Sequence, residues 1–289
     1  MIEDAMPLDR LVIGDVEIVP ILDVDALMPL GDMFDRAESP PGGIETLASR
    51  FPDEFTPEAW RFRDHCFLIR TPQGVALVDT GVGPIDSAAG RWFGIGGSLP
   101  DRLEAIGVAP TEVDHVIITH IHSDHVGWNT IDRGDGFVPF FPNARYHLHE
   151  ADVAWAFGFE DDEDVREFAE VIAPLQASGQ LDTAPEDHDV VPGLGLRHAP
   201  GHTPGHRCAL LDVGDERVLF AGDLLHFTFQ LDDTAYPSPA DADPVGGSRS
   251  RSAWLERVKA EQMTLATAHL LPPIARLSRE GVKSMLRVR

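Results

Sequence analysis

Short runs of apolar residues, some alternating and some continuous, divide the chain into strand-like segments separated by helical ones. The stretch LVIGDVEIVPIL (residues 11–22) predicts a strand pair, and HCFLIRT (65–71) with GVALVDTG (74–81) predicts a hairpin that turns at Gly74. Further strands are predicted at DHVIIT, ARYHLHE, LGLRHAP, CALLDVG, RVLFAGD, MTLATAH and ARLSREG. Strands mixed with helices in this order are typical of a layered α/β sandwich.

Apolar positions spaced by three or four residues predict the helices. The stretch SLPDRLEAIGV (98–108) has a serine cap, an early proline and an apolar face, so it predicts a short helix that ends near Gly107. Other helices are predicted near residues 150–157, 163–177 and 252–261. Residues 35–60 begin with a proline- and glycine-rich stretch and predict a long irregular excursion over the surface. We expect one domain over residues 1–289.

Composition narrows the class of protein. The 289 residues are 43% hydrophobic, which allows a substantial core, and the formal net charge is −25. Such a surface repels polyanions, so nucleic acid is excluded as an expected partner. No apolar run reaches the roughly 18 residues that a bilayer span needs, and the opening residues lack a basic and an apolar leader region. We therefore expect a soluble, cytoplasmic chain with no membrane partner.

Four potential metal ligands lie within six positions of the segment THIHSDHVGW (119–128), directly after the apolar run VDHVIIT. At the end of a strand, His120 and His122 are expected to point to one face, because side chains alternate along a strand. A turn that opens a helix would bring Asp124 and His125 to the same cavity. Imidazole nitrogen and carboxylate oxygen are ligands of zinc and similar divalent ions, so the segment predicts a metal site.

More ligands of the same kinds follow other predicted strands. His202 lies in the turn-rich LRHAPGHTPGH, while Asp223, His269 and Asp79 each follow an apolar strand. The repetition of this placement strengthens the prediction of a metal site. Among the remaining histidines, a structural hydrogen bond is expected for His206 and solvent exposure for His147 and His149. Nothing is assigned to His65, His115, His188 or His198.

Five short segments resemble, in order, the motifs of the metallo-β-lactamase-fold hydrolases. They are VDTG, THIHSDH, PGHTPGH, AGD and a late AH, and they span residues 78–269. The resemblance implies an αββα four-layer sandwich of two mixed β-sheets, with a metal site at one edge. It also implies that His120, His122 and His202 hold one metal, that Asp124, His125 and His269 hold a second, that Asp223 bridges them, and that Asp79 orients a ligand.

Within this superfamily the chain most resembles the lactonases and the methyl parathion hydrolase type. The shared segments are GDLLH (222–226), HLLPP (269–273) and FPNARYHLH (141–149). Asp223 argues against the true β-lactamases, which lack the bridging aspartate. The 20 residues after His269 are too few for the helical domain of glyoxalase II enzymes, and neither the inserted domain of the nucleases nor the flavin domain of the flavodiiron proteins is expected. Many homoserine lactonases have a tyrosine where this chain has His226.

The activity implied is a dinuclear metal-dependent hydrolysis of lactones or related esters, with side activity on phosphotriesters. A metal-bridging hydroxide would attack the substrate. His226 is expected to bind the developing oxyanion or protonate the leaving group, and Asp124 to shuttle a proton. Zinc is the expected metal, with iron, manganese and cobalt left open. An acyl ester or thioester hydrolase and a mononuclear iron enzyme of the persulfide dioxygenase type are alternatives, and a non-catalytic binding module is disfavoured because every ligand position is filled.

Two apolar stretches bear on the substrate. In HFTFQL (226–231) an alternating pattern predicts a strand whose phenylalanines face either the core or a small-molecule substrate. The stretch LDVDALMPLGDMF (22–34) and the segment RWFGIGG (91–97) place methionines and aromatic residues on predicted loops. These residues suit either a permissive lactone or ester pocket or a homodimer contact.

Overall fold

The computed structural model describes residues 10–34, 42–156, 169–278 and 281–284. Its strands, in chain order, are β1 (Leu11–Ile13), β2 (Val16–Pro29), β3 (Ala59–Thr71), β4 (Gly74–Val78), β5 (His115–Ile117), β6 (Thr130–Asp132), β7 (Phe137–Pro139), β8 (Arg145–His147), β9 (Leu181–Asp182), β10 (His188–Val191), β11 (Leu194–His198), β12 (Arg207–Val213), β13 (Glu216–Phe220), β14 (Thr264–Ala266), β15 (Ile274–Ser278) and β16 (Gly281–Ser284). The helices are α1 (Leu30–Phe34), α2 (Ile44–Arg50), α3 (Ala88–Phe93), α4 (Leu99–Ala105), α5 (Ser123–Val126), α6 (Glu150–Ala156), α7 (Ala173–Ala177) and α8 (Pro244–Ala260).

Two large sheets organise these strands. The first has the order β1-β2-β3-β4-β5-β8-β9 and the second the order β10-β11-β12-β13-β14-β15-β16, while β6 and β7 form a separate hairpin. In the first sheet β1 to β4 pair antiparallel and β4, β5, β8 and β9 pair parallel. The second sheet is antiparallel except for the parallel pair β13 and β14. Both sheets are therefore mixed, as the sequence predicts.

The sheets pack face to face and carry helices on their outer faces. Phe67 and Ile117 of the first sheet share a buried cluster with Leu196 and Phe220 of the second. On the outer side of the first sheet, a second buried cluster joins strand residues to side chains of α4, α6 and α7, namely Leu68, Leu77, Leu99, Leu103, Val153 and Leu175. The outer face of the second sheet packs on α8 through Leu255 and Val258. The expected αββα four-layer sandwich is confirmed.

Several local predictions differ from the structure. The described part of the 35–60 segment is not an irregular surface excursion, because it contains α2 and buries Leu47 and Phe55 against the core. Residues 22–34 form the end of β2 and α1 rather than a loop. The stretch predicted as a strand at 226–231 forms a 3₁₀ turn at Thr228–Leu231, because the Gln230 side chain binds the backbone before it.

Two helices have boundaries that the sequence did not predict. The helix expected at 252–261 begins at Pro244, after Asp243 has capped it by accepting a hydrogen bond from the backbone of Gly246. The first turn contains two glycines, and their low helix propensity explains why the sequence did not predict it. Of the helix expected at 163–177, the residues up to 168 lie outside the described part, and α7 covers its end. None of the helices in the described ranges combines the length and the hydropathy that a bilayer span requires.

Candidate metal centre

The predicted ligands gather at one edge of the sandwich, where several strands end. His120 and His122 lie in the loop after β5, and α5 then carries Asp124 and His125. Because β5 ends at Ile117, the two leading histidines are loop residues rather than part of the strand as predicted. The turn into a helix is present as predicted, with His122 in the extended cap position.

One group of side chains consists of His120, His122, His202 and Asp223, whose ligand atoms lie within 4.8 Å of one another. Nε2 of His202 lies 2.8 Å from Nδ1 of His122 and 3.2 Å from Nε2 of His120. Nε2 of His120 lies 3.1 Å from Nδ1 of His122. Three imidazole nitrogens therefore point at one small volume. Without a metal ion there, they would compete with one another for protons.

A second group consists of Asp124, His125 and His269. Nε2 of His125 lies 3.7 Å from an Asp124 oxygen, and Nε2 of His269 lies 3.9 Å from the same oxygen. The two histidines are buried, while Asp124 is partly exposed. This group therefore faces solvent on the side of Asp124.

Asp223 lies between the two groups. Its Oδ2 is 3.2 Å from Nε2 of His202 and 3.6 Å from that of His120, while its Oδ1 is 3.2 Å from Nε2 of His125 and 3.0 Å from that of His269. The backbone around it is fixed closely. Gly222 has a φ of 51°, and a Cβ there would lie 2.8 Å from the His206 ring. The Asp223 backbone donates to Nε2 of His206, whose Nδ1 donates to the Ala199 carbonyl, so the structural role predicted for His206 is confirmed.

Asp79 holds the second group from behind. Its Oδ2 lies 2.9 Å from Nδ1 of His125 and accepts a hydrogen bond from the Thr119 hydroxyl at 2.8 Å. Its Oδ1 accepts from the Thr119 backbone at 2.7 Å, so one carboxylate fixes both the ring and the loop that leads to His120. The orienting role that the family resemblance implies for Asp79 would act through these contacts.

Three residues that the sequence did not single out lie behind His202 and beside His269. Asp241 lies 3.0 Å from Nδ1 of His202, and its other oxygen lies 3.3 Å from the buried guanidinium of Arg251. The backbone and the ring of His65 both donate to the Ala268 carbonyl, next to His269. These residues are distant in sequence from the ligands beside them, and no local sequence motif predicts their role.

His226 adjoins the centre, in contact with both groups. Its Nε2 lies 3.0 Å from Oδ2 of Asp223, and its ring lies 4.8 Å from that of His202 and 5.4 Å from that of His269. Its Nδ1 is buried and has no hydrogen-bond partner among the described residues. His226 is therefore placed against Asp223, with one ring nitrogen uncommitted.

The set of donors fits divalent cations. Nε2 of His125 and Oδ1 of Asp223 are buried and lie 3.2 Å apart, but neither forms a well-directed hydrogen bond with a described residue, a costly state unless a cation binds them. Burial lowers the pKa values of His120 and His122 well below the usual range, which favours the neutral imidazoles that bind metals. Burial opposes charge at His125 as well, but the carboxylates of Asp223, Asp124 and Asp79 outweigh it and raise its pKa. The carboxylates that raise the pKa of His125 would also attract a divalent cation.

His147 and His149 are buried, so the predicted exposure is wrong for both. Nε2 of His147 lies 3.1 Å from Nδ1 of His115, and the His149 ring stacks on His198 with centroids 4.5 Å apart. Each packs against another histidine, His115 or His198. Neither His147 nor His149 belongs to a group of potential metal ligands among the described residues.

Two features lie next to the centre, a groove with room for an organic molecule and a packed aromatic pair. A groove of about 450 Å³ is lined by Trp155, Gly201, Pro204, Arg249 and neighbouring residues, and the Trp155 ring lies 6.0 Å from that of His122. On the other side, the Phe62 ring lies 5.3 Å from His269 and stacks on Phe93 at 4.2 Å. Of the apolar residues predicted for a pocket or dimer contact, Met28 and Phe34 are core residues, Trp92 is 58% exposed, and the side chain of Met33 lies outside the described part.

Known proteins with similar sequences are lactonases and metallo-hydrolases. An N-acyl homoserine lactonase from Bacillus sp. is 31% identical over 163 residues, which cover 51% of this chain and 58% of the relative. A probable metallo-hydrolase from Mycobacterium tuberculosis is 26% identical over 203 residues, 58% of each chain. The matches thus span less than two thirds of the length of these relatives.

Solved structures with the same fold cover nearly the whole chain. Hydrolase AbOPH, of the beta lactamase superfamily, superposes with a TM-score of 0.80 at 23% identity over 97% of both chains. AidC, a dizinc quorum-quenching lactonase, superposes with a TM-score of 0.79 at 18% identity over 97% of this chain and 98% of its own. The model of the Metallo-beta-lactamase superfamily matches residues 60–269, from β3 to His269, and the chain belongs to that superfamily.

Proposed function

We propose that this protein is a dinuclear metal-dependent hydrolase that opens lactones or cleaves related esters. The observation that carries the proposal is the position of Asp223, because its two oxygens face different sets of imidazole nitrogens. A carboxylate shared in this way is suited to hold two cations at once. The sequence relatives named as lactonases support the substrate class.

The roles of the ligands follow from the two groups. His120, His122 and His202 would hold one ion, Asp124, His125 and His269 the other, and Asp223 both, with Asp79 orienting His125. Zinc suits this set, and iron, manganese and cobalt bind the same donors. Two such ions supply a water molecule acidified to near-neutral pKa and Lewis acidity toward the substrate oxygen.

The residues around the ions would manage the protons. In lactone hydrolysis the water oxygen bonds to the acyl carbon, the bond from that carbon to the ring oxygen breaks, and one water proton ends on the departing alkoxide. His226 would donate that proton to the alkoxide, because its ring lies beside Asp223 and adjoins both ligand groups. Asp124, which reaches solvent, would carry the product's proton away.

The space beside the centre supports an organic substrate of moderate size. The groove at Trp155 and Gly201 has apolar walls at Trp155, Pro200 and Pro204 and polar ones at Asp243 and Arg249, and Gly201 directly precedes His202. The aromatic pair Phe62 and Phe93 lies on the side of His269. A lactone or ester with an acyl or aryl substituent fits such surroundings better than a highly charged substrate does. Phosphotriesters share the neutral, electrophilic centre and are the expected side substrates.

The test combines metal analysis with turnover. We expect close to two metal ions per chain and acid release from lactones in a pH-indicator assay, with both lost in His122→Ala and Asp223→Ala. His198→Ala, an exposed histidine outside the centre, is the matched control and should keep both properties. Turnover confined to thioesters or acyl esters would replace lactones as the substrate class and leave the hydrolytic mechanism unchanged. One iron per chain without acid release would overturn the proposal in favour of the mononuclear iron alternative.

A further inference from the structure

Glu54 lies behind the short turn that carries His226. We propose that Glu54 is a positioning residue for His226, an inference that rests on the proposed hydrolase function and on the role of His226 in it. Glu54 precedes residues 60–269, the part of the chain that the family model matches. The segment before β3 would therefore supply a part of the active site that the family motifs do not contain.

The turn at 226–231 is organised by side chains that bind its backbone. The backbone N–H groups of His226 and Phe227 both donate to Oε1 of Gln230, at 2.8 and 3.1 Å. Gln230 is fully buried and donates in turn to the Tyr236 carbonyl at 3.2 Å. Gln230 thus fixes the start of the turn, and the next N–H, that of Thr228, needs another acceptor.

That acceptor is Glu54. The Thr228 N–H lies 3.1 Å from Oε1 and 3.2 Å from Oε2 of Glu54, a bond shared between the two oxygens. Glu54 is only 7% exposed and the Thr228 N–H is partly buried, so loss of the contact would remove the one acceptor that the described contacts give this N–H. Burial of a carboxylate is unfavourable unless it forms hydrogen bonds. The position of Glu54 therefore indicates that it serves to place Thr228, two residues after His226.

Glu54 is itself held rigidly. Its backbone N–H donates to the Phe51 carbonyl at 3.0 Å, and its carbonyl accepts from Arg61 of β3 at 2.8 Å. The adjacent Phe55 packs on the Phe227 ring with centroids 5.9 Å apart. Because the backbone of Glu54 is held in place, its side chain can determine the position of Thr228.

A neighbouring residue links the same spot to the metal centre. Arg63 and Glu54 line one cavity of about 170 Å³ together with Thr228. The Arg63 carbonyl accepts a hydrogen bond from Nδ1 of His269 at 2.6 Å. The cavity is thus lined by neighbours of both residues, since Thr228 lies two residues after His226 and the Arg63 backbone binds the ring of His269.

The expected effect is on catalysis and not on metal binding, because none of the seven proposed ligands contacts Glu54 directly among the described contacts. Loss of the acceptor frees the turn, and displacement of a reacting group by about 1 Å can cost on the order of 100-fold in rate. We expect Glu54→Ala to lower kcat by about 10-fold or more, with metal content and KM nearly unchanged. Glu54→Gln keeps an oxygen acceptor for Thr228 and should retain kcat within about 3-fold.

The experiment is a double-mutant cycle in the metal-loaded enzyme, with Glu54→Ala, His226→Ala and the double variant. If Glu54 acts through His226, its removal has no further effect once His226 is gone. Leu47→Ala is the control for general loosening, because Leu47 is fully buried in the same segment and packs in the cluster of Phe227 and Phe229 without a hydrogen bond to Thr228 among the described contacts. Equal losses from Glu54→Ala in both backgrounds, or the same loss of kcat in Leu47→Ala, would overturn the proposal.

A second readout is independent of turnover. In protein with labelled histidines, the ring resonances of His226, assigned with His226→Ala, should move in Glu54→Ala and stay in place in Glu54→Gln. Unmoved resonances in Glu54→Ala would refute the positioning role. If the wild-type protein showed no hydrolysis but the resonances moved as expected, the proposed function would fail while the structural link between Glu54 and His226 stood.

Discussion

Oδ2 of Asp79 lies 2.9 Å from Nδ1 of His125, on the side of the ring away from the candidate metal centre. Asp79 directly follows β4 and has a φ of 59°, in the left-handed region where aspartate and asparagine are tolerated. The same carboxylate binds the Thr119 backbone and hydroxyl. One residue thus sets both the tautomer of His125 and the path of the loop to His120.

Asp79→Asn is predicted to weaken metal binding at the second group by about 10- to 100-fold, the range seen for such orienting partners. Asparagine tolerates the positive φ, so the backbone is preserved, but its amide cannot accept from both His125 and Thr119. Competition with a coloured chelator measures the affinity. Asp114→Asn, which removes a carboxylate that accepts from the Val75 backbone away from the centre, is the control and should leave the affinity unchanged. Equal affinity in Asp79→Asn would contradict the orienting role.

The sequence predicts those parts of the centre whose chemistry is local. His120, His122, Asp124 and His125 are close in the chain, and the other proposed ligands follow apolar strands, so their convergence can be expected from the ends of neighbouring strands. Asp241 and Arg251 could not be predicted in this way. Asp241 is 39 residues from His202, and the two are brought together by backbone hydrogen bonds from Ala242 and Asp243 to the carbonyls of His202 and Gly201.

Two errors in the sequence-based predictions have a clear physical origin. The alternating HFTFQL fits a strand by period, but the Gln230 side chain satisfies two backbone donors and stabilises a 3₁₀ turn instead. His147 alternates with His149 as exposed positions on an edge strand would. Their burial comes from contacts with His115, His188 and His198, which lie on other segments and leave no local signal.

Arg251 joins several segments of the site from within α8. Its guanidinium donates to the carbonyls of Leu224 and Tyr236 at 2.6 and 2.7 Å and lies 3.3 Å from Asp241. The side chain is 1% exposed. It therefore ties the residue after Asp223 to the partner of His202.

Arg251→Met is predicted to lower the free energy of unfolding by about 3 kcal/mol, because it removes the charged partner of the buried Asp241 and one donor from each of the Leu224, Thr234 and Tyr236 carbonyls. Denaturant titration measures the loss. Arg257→Met, on the same helix, removes an exposed pair with Glu261 and should cost less than about 1 kcal/mol. A loss of that small size in Arg251→Met would show that water replaces the guanidinium readily.

His147 should make the protein less stable in acid. Burial, with the nearby His115, lowers its pKa from 6.5 to about 3, although Asp182 opposes the shift. A histidine with a lowered pKa contributes stability that is complete above pH 6.5 and is lost as the pH falls toward 3, because the unfolded chain takes up the proton first. His147→Gln should therefore show a shallower fall of unfolding free energy between pH 6.5 and 4 than wild type. His149, with a pKa of about 4, keeps part of the slope. An unchanged slope, equal to that of the control His198→Gln, would contradict the prediction.

Glu54 should act on stability in the opposite pH direction. Burial raises its pKa from 4.5 to about 7, against the Thr228 hydrogen bond and the charge of Arg63. A raised carboxyl pKa means that the folded state binds the proton more tightly, so the contribution is complete below pH 4.5 and is lost as the pH rises through 7. The interval from 4.5 to about 7 corresponds to roughly 3 kcal/mol. Glu54→Gln removes this dependence while keeping an acceptor for Thr228.

The difference in unfolding free energy between Glu54→Gln and wild type, measured from pH 5 to 8.5, should therefore change in favour of the variant as the pH rises. Taking the difference at each pH cancels the titration of the histidines common to both proteins. Glu58→Gln changes an exposed carboxylate four residues along the chain and should give a flat difference. A flat difference for Glu54→Gln as well would mean that water or Arg63 stabilises the ionised carboxylate in the folded protein, and that Glu54 holds Thr228 as a full charge across the working pH range.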